Sequence, residues 1–383
     1  MALDSDTLKQ LLDTVDKFVD NRLRPLESRV GEEDQIPEEV IQEMREMGLF
    51  GLTIPEEYGG LGLNMSEECA VARVFGHTSP AFRSVFGTNV GIGSQALIID
   101  GTDAQKQQYL PGMATGEIIG SFCLTEPDAG SDAAAVQLTA KKSGTDYLLN
   151  GTKRYITNAP KAQLLTVFAR TNPAEKGARG VSAFLVDAKS EGISLGRPYR
   201  KMGQQGTYVC DVMFDDVRVS EENLVGGKEN VGFKTAMKVL DKGRLHISAL
   251  SVGIAERLIR DSLKYATERK QFGKPIFEFQ MIQSMLARSQ TEMYAAKCMV
   301  EDVARRRDNG ENVAALAAAC KLFATEMVGK VADNAVQIHG GAGYVEDYGI
   351  ERFYRDVRLF RIYEGTSEIQ QTVIAKDLLR QLG

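Results

Sequence analysis

The 383-residue chain reads as a multidomain α+β protein, with an all-α domain over 1–116, a β domain over 117–228 and a helical bundle over 229–383. Three observations carry that expectation. Apolar residues recur three and four apart towards both ends, as helices with one buried face require. The middle third breaks into short β-rich runs bounded by turn residues. The length, at roughly 100–200 residues per domain, holds two or three domains whose cores need no disulfide.

In the first segment Leu8, Leu11, Leu12, Val15, Phe18 and Val19 make one apolar stripe, and Pro25 is expected near the end of that helix. Pro37, a favoured first helical residue, opens a second helix that turns Val40, Ile41, Met44 and Met47 inward before Gly48. From Gly116 the runs IIGSFCLTE, YLLNG, KRYITN, LLTVFAR, VSAFLVDA and YVCDVMFDDVRV predict strands. Asn150-Gly151 between two of them predicts a hairpin, because glycine takes the positive φ of a type I′ turn. After Val231 the pattern is helical nearly to the end, in stretches long enough for a bundle.

Composition narrows the function classes. Forty-six basic and 52 acidic residues give a net charge of −6 with the signs mixed along the chain, so nucleic acid is not an expected partner. No run of about 18 apolar residues offers a membrane span, and MALDSDTLKQ lacks the pattern of a leader, so a soluble cytoplasmic protein is expected. Cys69, Cys123, Cys210, Cys298 and Cys320 are scattered without a C-x-x-C pair, which fits a reducing compartment. His77, His246 and His339 stand far apart with no ligand spacing, so no metal is expected.

Three segments could carry chemistry. Gly91-Ile92-Gly93-Ser94-Gln95-Ala96 matches G-x-G-x-x-A, but its surroundings read helical and Asp100 comes too soon for a dinucleotide fold, so the match is set aside. In SFCLTEPDAGSD (residues 121–132) a β run ends in hydroxyls and small residues, which suits either a phosphate or polar-ring cradle or a plain solvated turn. In Arg361-Ile362-Tyr363-Glu364-Gly365-Thr366-Ser367-Glu368 a glycine follows a carboxylate, as where a ligand nears bare backbone beside an acid. The same residues suit a helix break with an N-cap at Thr366 or Ser367.

LTEPDAGSD, NGTKRYITN, ERKQFGKPI, QIHGGAGY and IYEGTSEIQ together resemble the acyl-CoA dehydrogenase family in order and spacing, over essentially the whole chain. The resemblance implies that family's fold, with an N-terminal helical domain, a β-barrel-like middle domain and a C-terminal four-helix bundle. It implies FAD as cofactor, held across a subunit interface in a homotetramer that is a dimer of dimers. Implied flavin contacts are Phe122, Leu124, Thr125 and Ser131, then Tyr155, Ile156 and Thr157; from the neighbouring subunit come Arg269, Phe272, Gln280 and the turn Gln337, Ile338, His339, Gly340 and Gly341. Thr366, Ser367 and Glu368 would also line the cofactor.

The implied chemistry removes hydrogen from Cα and Cβ of an acyl-CoA substrate to give a trans-2-enoyl-CoA. Glu364 matches the base that takes the α proton while hydride passes to flavin N5, and an electron-transferring flavoprotein is the implied electron acceptor. Some members place the base on the first long C-terminal helix, where this chain has Leu240-Asp241-Lys242-Gly243-Arg244, with Gly243 in the acid's position. Asp241 and Arg244 match substrate-contacting positions, and Ser131 and Gly365 the same cavity; a surface pair on a helix is the plain alternative for the first two.

Phe82-Arg83-Ser84 is similar to a local feature of glutaryl-CoA dehydrogenases, whose Arg-Ser pair grips the terminal carboxylate of the substrate. Those enzymes also carry a glutamate seven residues earlier, where this chain has Gly76. The expectation is a short to medium dicarboxyl-CoA bound by Arg83 and Ser84 and oxidised without loss of CO2, against an Arg83 that only pairs with a surface acid. The rivals are oxidative decarboxylation, a desulfinase or oxidase on the same fold, and a non-catalytic flavoprotein scaffold. The chain has no tryptophan, and Tyr155 stands where many relatives pack an indole on the flavin.

Overall fold

The computed structural model describes residues 2–382. The first part holds α1 (Ser5–Phe18), α2 (Glu27–Glu33), α3 (Glu38–Glu46), α4 (Met65–Phe75), α5 (Pro80–Val90), α6 (Ile92–Asp100) and α7 (Asp103–Thr115). The strands are β1 (Gly120–Cys123), β2 (Thr139–Ser143), β3 (Asp146–Thr157), β4 (Leu164–Arg170), β5 (Val181–Asp187), β6 (Ile193–Leu195) and β7 (Val209–Ser220). The last part holds α8 (Gly232–Glu268), α9 (Gln280–Asp308), α10 (Ala314–His339), the short α11 (Gly341–Tyr344), α12 (Ile350–Val357) and α13 (Ser367–Arg380).

Helices from the two ends of the chain share one core, in which Val15 and Phe75 pack with Leu250, Val328 and Phe360. Their backbones come very close where Gly76 meets Gly253: a Cβ added at Gly76 would lie 2.7 Å from the Gly253 Cα and 2.6 Å from the Leu250 carbonyl oxygen. The strands run in the order β1-β4-β2-β3-β7-β6, with β5 antiparallel to β4. One side of the sheet packs Phe122 and Phe168 against helix residues Leu97 and Val239. The other closes over Leu149, Val167, Phe184 and Val212, so the sheet curls round a core of its own. No helix among the described residues is long and apolar enough to cross a membrane.

Three local expectations meet the structure differently. The helical path does not stop near Pro25: a π turn over Val19–Leu23 and a 3-10 turn over Arg24–Leu26 carry it into α2. The widened turn lets the Arg24 N–H reach the Val19 carbonyl just before the proline, which has no N–H to give. Asn150-Gly151 is not a hairpin but a bulge inside the continuous β3, where the register against β7 shifts between Leu149 and Gly151. The Asn150 side chain pins the bulge, donating 2.8 Å to Asp216 Oδ1 and accepting 2.9 Å from the Asp216 N–H; the hairpin turn lies earlier, at Gly144-Thr145 between paired Ser143 and Asp146. The G-x-G-x-x-A match behaves as read, since Gly91 joins α5 to α6 with no strand before it.

Candidate active site

Glu364 sits in the loop between the 3-10 turn Arg358–Arg361 and α13, where the chain turns through two left-handed residues, Glu364 at φ 55° and Gly365 at φ 87°. A side chain at positive φ is strained, so the turn must be held from outside. Gln370 Nε2 donates to the carbonyls of Glu364 and Gly365 at 3.1 and 2.8 Å, and the buried Lys321 Nζ donates to the Gly365 carbonyl at 2.6 Å. Glu364 Oε2 is buried with no hydrogen-bond partner among the described residues. Burial raises the Glu364 pKa above the ordinary carboxylate value, with Arg83, Arg244 and Lys321 pulling the other way.

Gly243 faces this carboxylate from α8: a Cβ there would lie 2.6 Å from Oε2. Position 243, the other place considered for the base, thus has no room for a side chain while Glu364 occupies its present place.

Glu364 separates two cavities. One, of about 310 Å³, is lined by Phe122, Leu124, Thr125, Ser131, Tyr155, Ile156, Thr157, Arg244 and Gly365. The other, behind Gly243, is lined by Arg83, Ser84, Glu68, Lys242, His246 and Tyr363. Arg83 Nε is buried without a partner among the described residues, so this arginine faces the cavity rather than a surface acid. Asp241 accepts from Arg244 Nη1 at 2.6 Å; burial raises its pKa against the pull of Arg244.

All the sequence-predicted cofactor residues but Gln337, Thr366, Ser367 and Glu368 fall into two groups on one chain. Arg269, Phe272, Gln280, Ile338, His339, Gly340 and Gly341 line a separate open groove of about 960 Å³. There His339 stacks on Tyr265 at 4.3 Å, and Phe272 is 92% exposed. Gln337 is exposed at the end of α10, its carbonyl accepting from the Gly340 N–H at 3.2 Å. Of the other three, Thr366 caps α13 through the Ile369 N–H at 3.3 Å, Ser367 Oγ donates to Glu326 at 2.6 Å, and Glu368 lies in the first turn.

The first groove fits a planar polar ring. Tyr155 leaves an aromatic face 59% exposed at φ 58°, set out of line by the register shift between Lys153 and Ile156. Thr125, Ser131 and Thr157 bring hydroxyls to the same walls. The second groove, with a guanidinium, bare aromatic edges and the Gly340-Gly341 backbone, suits a diphosphate and a heteroaromatic ring.

Three residues that hold these walls were not singled out from sequence. Glu126 accepts from Lys153 Nζ at 2.7 Å and from the N–H groups of Gln137 and Leu138 at 2.6 and 2.9 Å, clamping the first loop to β3. Asn158, left-handed at φ 61°, donates to the Ser84 carbonyl and Thr88 Oγ1, each at 3.0 Å, and so fixes the end of β3 beside Arg83. The sequence signal was present, since both Lys153 and Asn158 lie inside the NGTKRYITN motif.

The chain matches family models of the acyl-CoA dehydrogenase N-terminal domain over residues 5–117, the middle domain over 121–217 and the C-terminal domain over 230–379. It is 42% identical to a 3-(aryl)acrylate reductase of Clostridium sporogenes, over 95% of this chain and 96% of that one. It is also 42% identical to the caffeyl-CoA reductase-Etf complex subunit CarC of Acetobacterium woodii, over 92% of each. A solved glutaryl-coenzyme A dehydrogenase–glutaryl-CoA complex superposes with a TM-score of 0.92 at 35% identity, covering 99% of this chain and 96% of that one.

Proposed function

The chain belongs to the acyl-CoA dehydrogenase family, and from that premise we propose that it is an FAD enzyme acting on the Cα–Cβ bond of a short to medium acyl-CoA that ends in a carboxylate. FAD, when bound, supplies the hydride acceptor. Phe122, Leu124, Thr125, Ser131, Tyr155, Ile156 and Thr157 would hold it in the first groove, and Thr366, Ser367 and Glu368, which line neither groove, would shape the start of α13 behind Gly365. Arg269, Phe272, Gln280 and residues 337–341 serve the copy next door. Two grooves on one chain, each lined for part of the same cofactor, favour the homotetramer. An electron-transferring flavoprotein is the partner that fits, as the name of the Acetobacterium woodii relative says of that protein.

Glu364 takes the α proton. Its buried carboxylate has no hydrogen bond to lose, and the raised pKa brings it closer to that of a thioester α carbon. Gly243→Ala pushes a methyl group into that carboxylate and is expected to lower kcat/KM about 100-fold while the FAD content stays unchanged. Steady-state rates set beside the flavin absorbance check this; an unaltered rate would mean that Glu364 is not held where it reacts.

The observation that carries the substrate reading is Arg83, half-buried, its Nε buried without a partner among the described residues, in the same cavity as Glu364. An acyl chain ending in methyl leaves that guanidinium unanswered; one ending in carboxylate makes charge-assisted hydrogen bonds to it. Gly76, pressed against Gly253, leaves no space for the glutamate of the decarboxylating relatives, which favours oxidation with CO2 retained. Arg83→Ala is expected to cost about 100-fold in kcat/KM for glutaryl- or adipyl-CoA and little for butyryl- or isobutyryl-CoA. An unchanged preference order overturns the reading.

A second reading rests on the two relatives named as reductases at 42% identity. The same residues run backwards would reduce an enoyl-CoA, with Glu364 returning the proton. Feeding reduced flavoprotein and the enoyl-CoA, then the saturated thioester and oxidised flavoprotein, separates the two directions.

A further inference from the structure

The cavity that holds Arg83 contains a second orphan. His246 lies one turn beyond Gly243 on α8, roughly 5–6 Å further along the same face, and its buried Nε2 has no partner among the described residues. Its Nδ1 is 2.7 Å from Glu68 Oε1, and Glu68, 1% exposed on α4, pairs through its other oxygen with Lys242 Nζ at 3.1 Å. The charged and titratable groups facing this ring are Glu68 from α4, Arg83 from α5 and Lys242 from α8. Lys201 from the loop before β7, and Tyr363 and Glu364 from the loop before α13, complete the cavity wall.

A carboxylate only accepts hydrogen bonds, so Glu68 fixes the ring proton on Nδ1 and leaves Nε2 as a lone pair. That lone pair repels an incoming carboxylate. For Nε2 to donate, either the ring gains a proton and becomes imidazolium, or the proton moves to Nε2 and Glu68 takes one up to donate to Nδ1. Both routes bind one proton. Burial first and then Arg83 hold the ring pKa below its ordinary value, against the pull of Glu68, so the free enzyme is without that proton at neutral pH.

Resting on the proposed ω-carboxyl substrate, we propose that His246 is a second specificity-determining residue: its Nε2 joins Arg83 in binding the terminal carboxylate of the acyl chain, and the site takes up one proton as that carboxylate enters. A methyl terminus answers neither orphan and carries no proton with it. Affinity for the dicarboxyl thioester then falls about tenfold per pH unit above neutrality, in a step the monocarboxyl thioester lacks.

The test is calorimetric titration of the FAD-loaded Glu364→Gln protein, whose turnover is slowed about 10⁴-fold, with adipyl-CoA and hexanoyl-CoA in buffers of different ionisation enthalpy. The difference between the two ligands cancels protons bound by the CoA moiety. The expected result is one extra proton taken up with adipyl-CoA, and none when His246→Gln is added, because an amide donates without a proton. No extra proton in the protein that retains His246 overturns the inference, and this arm needs no substitution at position 246. If adipyl-CoA binds no better than hexanoyl-CoA, and Arg83→Ala changes neither, the substrate reading itself fails. If the Arg83-dependent preference is present without the proton, only the role of His246 fails.

Discussion

Glu364→Gln leaves the purified protein yellow and stops its anaerobic bleaching by acyl-CoA, with turnover reduced about 10⁴-fold, the upper end of what a positioned base contributes. The amide keeps the shape of the acid. It also keeps the turn, because Lys321 and Gln370 hold backbone carbonyls of Glu364 and Gly365 rather than the carboxylate. What disappears is a site for the α proton. In the parent enzyme kcat/KM rises with pH as Glu364 loses its proton, on a limb set above the ordinary carboxylate range by burial. The folded chain binds that proton more tightly than the unfolded chain, so the carboxyl's contribution to stability is present at low pH and lost as pH rises through the raised pKa. The Gln variant has no charge to bury, and above the limb it melts at a higher temperature than the parent. A variant that retains a tenth of the parental rate would remove Glu364 from its role.

Lys153→Met has the largest expected effect on stability, a loss of about 3–5 kcal/mol. Lys153 is fully buried, and burial lowers its pKa against the attraction of Glu126. Met fills a similar volume but strands the Glu126 carboxylate in the interior. The loop that carries Thr125 then loses the side-chain tie from Lys153 to the Leu124 carbonyl at 3.0 Å and keeps only the Arg154 N–H on the Thr125 carbonyl at 2.8 Å, so weaker flavin retention is expected along with the loss of stability. Adding Glu126→Gln restores part of the loss, because no charge is then left unpaired. Denaturant titrations of the three proteins, with released flavin followed by fluorescence, check both effects. Equal stability of Lys153→Met and parent would mean that the pair is not a clamp.

The architecture was legible because its periodicities are strong: the stripe from Leu8 to Val19 and the long helical stretches after Val231 are hard to satisfy any other way. Two local features were not. Asn150-Gly151 has the residues of a hairpin turn, but the same pair also suits a bulge, and only the pairing with β7 decides between them. Pro25 carries a helix-stopping signal that the preceding wide turn absorbs. In the site, Glu364 and Gly243 were picked out through the family resemblance, and Arg83 through a local similarity and its otherwise apolar or small neighbours. Glu126 and Asn158 lie inside the motifs LTEPDAGSD and NGTKRYITN, but their roles and that of His246 could not be read, since these lie in partners from 11 to 178 residues away.

The meeting of Gly76 with Gly253 also limits how this chain can change. A carboxylate at 76 is not one substitution away: any side chain there runs into the backbone of α8, and a Cβ at Gly253 would in turn lie 1.9 Å from the Arg73 carbonyl oxygen. The two glycines can be replaced only together with a separation of α4 from α8, on which the shared core depends. A chain that keeps this helix contact therefore has no single-step route to a side chain at position 76.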